Sequence, residues 1–240
     1  MKKILLLALI VVSLGKLYAQ DVVLGKFYAG AKIGYGTVSF ESTDPTENEF
    51  AERTFLNLSY GAVAGYRLNS KITLQAEGVY AQYSATNIKY EYIYSASNPL
   101  ITPSETSTID HVDMDLYYMD IPVTAKYLFG GRTLAPYAYV GVNWGINIEG
   151  YTTITKATTD PYAGTMYREY VDGITEQVKY YDFSPIFGGG VNMNMGDKIT
   201  LFGDLRYKIG VMNISNVQNG LGYKNNALWL SAGAVWNFDF

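Results

Sequence analysis

Residues 227–240 read Ala-Leu-Trp-Leu-Ser-Ala-Gly-Ala-Val-Trp-Asn-Phe-Asp-Phe. Every second residue back from the end is apolar: Phe240, Phe238, Trp236, Ala234, Ala232, Leu230 and Leu228. The residues between them are polar or small, except Val235 and Trp229. A period of two marks a strand with two unlike faces. The aromatics Trp236, Phe238 and Phe240 crowd the end of the apolar face, which suits the closing strand of a membrane-inserted barrel.

The same alternation recurs along the chain. It predicts strands near 27–39, 55–68, 72–81, 113–128, 136–149, 180–195, 199–211 and 227–240. The third pattern continues weakly through Tyr90, Tyr92 and Tyr94. Pro122 lacks an N–H, so the fourth strand needs a bulge or a gap in its ladder. Three connections are short, near 69–71, 129–135 and 196–198; four are long, near 40–54, 95–112, 150–179 and 212–226. They alternate strictly. An up-and-down barrel then has all short turns on one rim and all long loops on the other. The expected fold is all-β: an eight-stranded antiparallel transmembrane barrel with short periplasmic turns and long extracellular loops.

Composition fits that reading. The 240 residues include 23 Tyr and 24 Gly, with no later apolar run of helix length. Tyr and Trp favour the membrane interface, where one end of the ring stays wet. Phe27, Tyr66, Tyr127 and Phe240 would form a girdle at the turn rim, and Tyr35, Tyr80, Tyr117 and Trp144 one at the loop rim. The start looks like an export signal: Lys2 and Lys3, then an apolar run from Ile4 to Leu14, then Leu17-Tyr18-Ala19. Cleavage is expected after Ala19 or Gln20, leaving 20–240 as one barrel domain in the outer membrane of a Gram-negative cell after Sec export. No Cys is present, which excludes disulfides, thiol chemistry and Cys metal sites. Loss of Lys2, Lys3 and Lys16 takes the net charge from −4 to −7, which argues against a nucleic-acid partner.

At this point the chain resembles a known family, the small outer-membrane barrels. They are called porin-family or PorT-like in Bacteroidetes, and are of the OmpA/OmpX eight-stranded type. The resemblance rests on Leu116-Tyr117-Tyr118-Met119-Asp120-Ile121-Pro122-Val123-Thr124-Ala125-Lys126-Tyr127 and on Ile72-Thr73-Leu74-Gln75-Ala76-Glu77. Gly188-Gly189-Gly190-Val191 and Asp204-Leu205-Arg206-Tyr207 fit its later strands. It implies a fold and a location, not one activity.

The less apolar face carries Lys32, Arg67, Glu77, Asp120, Lys126, Glu149, Asp182, Asp204, Arg206 and Lys208, five charges of each sign. Eight strands leave room inside for side chains and little else. These residues are expected to pair as an interior network that fills the barrel. The loops are then left to act as a structural or binding module, within a larger envelope complex or with barrel-assembly proteins, beside outer-membrane lipid. Tyr90, Tyr92, Tyr94, Tyr162, Tyr167 and Tyr170 are candidate binding aromatics, because Tyr offers contact area at low entropy cost. The 150–179 connection re-enters strand pattern near 176–179, so the third to sixth strands are expected to protrude beyond the membrane as a small sheet. No cofactor or metal is expected, and the acidic stretch 40–54 lacks calcium-loop spacing. Two alternatives remain: a narrow porin-like channel for small solutes, and an enzyme using the single histidine, His111, near Asp110, Asp113 and Asp115.

Overall fold

The computed structural model describes residues 26–43, 57–86, 107–130, 133–160, 164–217 and 222–238. Nine strands form one antiparallel sheet: β1 (Phe27–Ser42), β2 (Asn57–Arg67), β3 (Ile72–Ala85), β4 (Ser107–Leu128), β5 (Leu134–Asp160), β6 (Gly164–Gly173), β7 (Tyr181–Met195), β8 (Ile199–Lys208) and β9 (Tyr223–Phe238). Eight of them close a ring, β1-β2-β3-β4-β5-β7-β8-β9. The closing pair is β1 with β9, from Phe27↔Phe238 to Ser42↔Tyr223. No edge is left in the ring, so every strand there has two neighbours, as a bilayer demands.

The alternation read from the sequence sets which side is which. On β9, Leu228, Leu230, Trp236 and Phe238 face outward, while Trp229, Ser231, Val235 and Asn237 are buried. Around the ring the outward set is apolar: Ile33, Leu74, Val123, Val140, Phe187 and Leu205 are all exposed. A soluble barrel would bury that set; here it is the outer wall. Rings line up along its loop-side edge. Tyr60–Tyr80, Tyr80–Tyr117 and Tyr117–Tyr151 have centroids 5.4, 5.9 and 6.4 Å apart, a row across β2, β3, β4 and β5. Phe27 pairs with Tyr66 at 4.7 Å near the other rim. Phe240 of the expected turn-rim girdle lies outside the described residues.

The short turns have local causes. Asn69 Oδ1 accepts hydrogen bonds from the N–H groups of Lys71 and Ile72, both at 2.8 Å, which closes the β2–β3 turn. Gly196 opens the β7–β8 turn at φ 74°, a conformation that side chains disfavour. The proline problem is solved by a gap: β3 pairs with β4 at Ala76↔Val123 and again at Val79↔Asp120, skipping the two residue pairs at Pro122.

Two expectations need correction. First, 150–179 is not one loop. β5 runs on to Asp160 and turns back as β6, pairing from Tyr151↔Gly173 to Asp160↔Gly164. β4 follows β5 outward as far as Ser107↔Thr158. A three-stranded sheet, β4–β5–β6, therefore stands beyond the ring. The physical reason is visible in the run Thr152-Thr153-Ile154-Thr155, which is β-branched throughout. The strand pattern near 176–179 is instead a 3-10 turn, Thr175–Gln177, followed by one bridge, Val178↔Ser215. Second, Glu149 is exposed rather than interior. Tyr117 pairs with Glu149 and Tyr118 with Asn147, so Ile148 is an extra residue. A bulge of this kind shifts the alternation by one. Below it Asn143, Gly145 and Asn147 point inward; above it Gly150, Thr152 and Ile154 do.

Candidate functional site

The lumen is filled in layers. At the turn rim the Tyr28 hydroxyl donates to Gln75 Oε1 at 2.7 Å, and Gln75 Nε2 donates to Glu77 Oε1 at 2.6 Å. Arg67, half-buried, donates to Asn237 Oδ1 at 2.7 Å and stacks over Tyr28. In the middle Glu77 takes two cations, Lys32 Nζ at 3.1 Å and Arg206 Nη2 at 2.5 Å. Arg206 Nε also donates to the Tyr139 hydroxyl at 3.2 Å. Asp204 accepts from the hydroxyls of Tyr137 and Tyr139, each at 3.4 Å, with Lys32 at 3.9 Å. Lys126 is buried against the rings of Tyr137, Tyr139 and Phe202.

The next layer joins Lys208 and Asp182 at 2.7 Å. Lys208 also reaches the Tyr83 hydroxyl at 3.3 Å, and that hydroxyl donates to Asp120 Oδ2 at 2.5 Å. Asn143 Nδ2 holds the other oxygen of Asp120 at 2.8 Å. Gly145 makes room here, because a Cβ at that position would sit 2.9 Å from Asp120 Oδ1. Buried charges are costly unless paired and hydrogen-bonded. The layers supply those pairs partly across the lumen, as Arg206 of β8 with Glu77 of β3, and partly between neighbouring strands, as Lys208 of β8 with Asp182 of β7.

Above the charges lies an apolar cluster that no strand motif announces. Val38, Phe40, Met114, Leu116, Ile154, Tyr223 and Trp229 meet Ile174, Val178 and Ile214. The last three come from two connections that bond to each other: Lys179 N–H to Ile214 C=O at 2.7 Å, and Asn216 N–H to Gln177 C=O at 2.8 Å. Together they strap the loop-side mouth. Tyr83 and Trp229 pack edge to face at 5.6 Å, joining this plug to the charge layer beneath. Two lumen cavities among the described residues are each ≈ 20 Å³, room for about one water.

The predicted site residues divide as follows. Lys32, Glu77, Asp120, Lys126, Asp182, Asp204, Arg206 and Lys208 are buried in the lumen, and Arg67 is half-buried at its turn end. Glu149 is outside, where its carboxylate accepts the Tyr151 hydroxyl at 3.2 Å. Trp236 and Phe238 face outward on β9. Tyr167 and Tyr170 stand exposed on β6; Tyr90, Tyr92, Tyr94 and Tyr162 lie outside the described residues. His111 Nε2 is 3.1 Å from Thr155 Oγ1 and 3.9 Å from Asp113 Oδ2. What sequence reading missed is β6 itself and the apolar plug. The Thr/Ile run of β5 could have flagged the first. The second needs contacts between residues far apart in sequence, such as Leu116 with Ile174.

β6 is the exposed part of this assembly. Met166, Tyr167, Tyr170 and Val171 are 47, 63, 38 and 71% exposed. Among the described residues its only strand neighbour is β5. The arrangement is a sheet edge with apolar side chains on both faces, carried on a closed barrel.

Solved structures similar to the chain include Neisserial surface protein A, at 17% identity and TM-score 0.46, covering 88% of this chain and 97% of that one. Outer membrane protein AlkL, solved in lipid bilayers, has 16% identity and TM-score 0.48, covering 92 and 94%. Outer membrane protein W of E. coli has 14% identity and TM-score 0.40, covering 90 and 98%. No curated protein matches the chain in sequence. Residues 18–216 match the family described as outer membrane protein beta-barrel domain. The chain belongs to that family of outer-membrane β-barrels.

Proposed function

We propose that this barrel is a binding module whose working surface is the β4–β5–β6 sheet, with the lumen serving as a filled scaffold. The observation that carries the reading is the exposed edge of β6. An unpaired strand edge offers a row of N–H and C=O groups to a partner strand. Tyr167 and Val171 would anchor one face of the added strand and Met166 and Tyr170 the other. Glu169 and Arg168 beside them give a charged rim. The partner fits an envelope protein, presented at the cell surface. The ion pairs and the plug support a scaffold role for the lumen over a conducting one.

The Leu116–Tyr127 motif supports a porin-family, PorT-like subgroup of the kind found in Bacteroidetes. Residues 1–19 act as a Sec signal. The chain is read as non-enzymatic, His111 serving as a hydrogen-bond partner of Thr155 within the sheet.

The test removes the sheet and keeps the ring. Thr152 and Asp172 face each other across β5 and β6, so residues 153–171 can be replaced by a two-residue Asn-Gly turn. The shortened barrel should still insert and still migrate differently before and after boiling. It should lose the envelope partners that co-purify with the full-length protein. Retention of every partner by the shortened barrel would show the binding surface to lie elsewhere.

A further inference from the structure

A row of neighbouring phenols crosses the outer wall at its loop-side edge. Tyr60, Tyr80, Tyr117 and Tyr151 stand on four successive strands, β2 to β5, and follow ring to ring at 5.4, 5.9 and 6.4 Å. Tyr60 and Tyr151 are 51 and 40% exposed. An interfacial girdle needs rings at this height, but it does not need a carboxylate among them. Here one is present. The bulge at Ile148 brings Glu149 onto the outer face, directly opposite Tyr117. Its Oε2 accepts the Tyr151 hydroxyl at 3.2 Å, and among the described residues no protein donor reaches its Oε1. Asp115 lies one step nearer the loops, opposite Tyr151, and accepts from Ser84 Oγ.

Each part of this surface has its own chemistry. The weakly negative face of an aromatic ring stacks on the C–H face of a pyranose. A carboxylate oxygen accepts hydrogen bonds from sugar hydroxyls. Two acids at one edge disfavour a phosphate, because like charges repel. Below the row the same wall turns aliphatic, with Met119, Ile121 and Val123 exposed on β4. The order down the wall is carboxylate, phenol, hydrocarbon. That order matches an amphiphile with an uncharged, hydroxyl-rich headgroup and acyl chains beneath it.

We infer that the Tyr60–Tyr151 row is a docking site for the neutral sugar headgroup of a glycolipid in the outer leaflet. Tyr80 and Tyr117, whose planes lie 26° apart, form the platform under the pyranose. Glu149 accepts from its hydroxyls, and the acyl chains lie along β4. A soluble sugar would forgo the wall contact, which is why the lipid is the better occupant. The site is separate from the β6 edge and does not depend on binding there.

The experiment uses the full mature chain folded into phosphatidylcholine vesicles that carry equal fractions of a neutral monohexosyl diacylglycerol and phosphatidylglycerol. The barrel is released in mild detergent, and its bound lipid is read by native mass spectrometry. The wild type should retain the hexosyl lipid well above the other two. Glu149→Gln removes the charged acceptor and should cut the retained hexosyl lipid about tenfold, the equivalent of one hydrogen bond to a charged group. Tyr117→Leu keeps the wall apolar and should cut it likewise. Both changes lie on the outer face, so the ring should still fold, which the shift between unboiled and boiled bands checks. Equal retention of the three lipids by the wild type would overturn the inference, and so would a hexosyl preference that survives both substitutions. Excess methyl glucoside should leave the lipid adduct in place. Its displacement would make a free sugar the ligand and overturn the lipid assignment.

Discussion

Asn147 and Glu149 are two residues apart on β5, yet Asn147 is buried in the lumen and Glu149 is exposed on the outer wall. A regular strand would put both on one face. The extra residue between them, Ile148, is the cause. The bulge does two things at once. It removes an acid from the interior, and it turns Ile154 inward to join the plug.

Single-cysteine labelling checks this facing, because the chain has no cysteine of its own. Glu149→Cys should react quickly with a water-soluble maleimide on intact cells. Asn147→Cys should stay protected until the barrel is unfolded. The reverse order of reactivity would place the bulge wrongly.

Glu77 is the hub of the middle layer, with Lys32 and Arg206 both on its carboxylate. Removing one partner of a buried ion pair leaves an uncompensated charge, at a cost of about 3–5 kcal/mol. Glu77→Gln should lower the urea midpoint for unfolding from detergent accordingly. Asp172→Asn, on the protruding sheet, should leave it nearly unchanged.

Leu230 is 64% exposed on the wall and Ser231 is 5% exposed inside. Arginine on the lipid face near the midplane costs about 2–4 kcal/mol. Leu230→Arg should therefore reduce the folded yield in lipid vesicles well below that of Ser231→Ala. Equal yields would contradict the assignment of the apolar face to lipid.

The plug makes a prediction about conduction. Tyr83, Trp229 and Leu116 are buried in one cluster that closes the loop-side mouth. Wild-type barrels in planar bilayers should show no stable single-channel steps. Liposomes carrying them should swell in small sugars no faster than empty ones. Steady ohmic steps would favour the channel reading over a filled scaffold.

The wall was legible in the sequence; of the extramembrane part a protruding sheet was legible, but not the strands that form it, for a physical reason. A strand between lipid and lumen must alternate, so Leu228, Leu230 and Trp236 declare their side without help from any other strand. The same logic placed Lys32, Glu77 and Lys208 inside. It failed at Glu149 because one inserted residue reverses the count, and no local signal marks Ile148 as the extra one. It failed again at 150–179. There β6 is exposed on both faces, so Tyr167, Val171 and Met166 need not alternate with polar residues. Pairs such as Arg206 with Glu77 and Lys208 with Tyr83 depend on which strands face each other across the lumen, which alternation alone does not reveal.

The central claim is that contact with other proteins occurs at β6 rather than at the wall. Site-specific photo-crosslinking in living cells tests it most directly, with a photoreactive residue placed at Val171, 71% exposed, or at Leu230, 64% exposed. The expected result is a discrete protein adduct from position 171 and only lipid adducts from position 230. Protein adducts from position 230 with none from position 171 would contradict the claim and make the lipid-facing wall the interface.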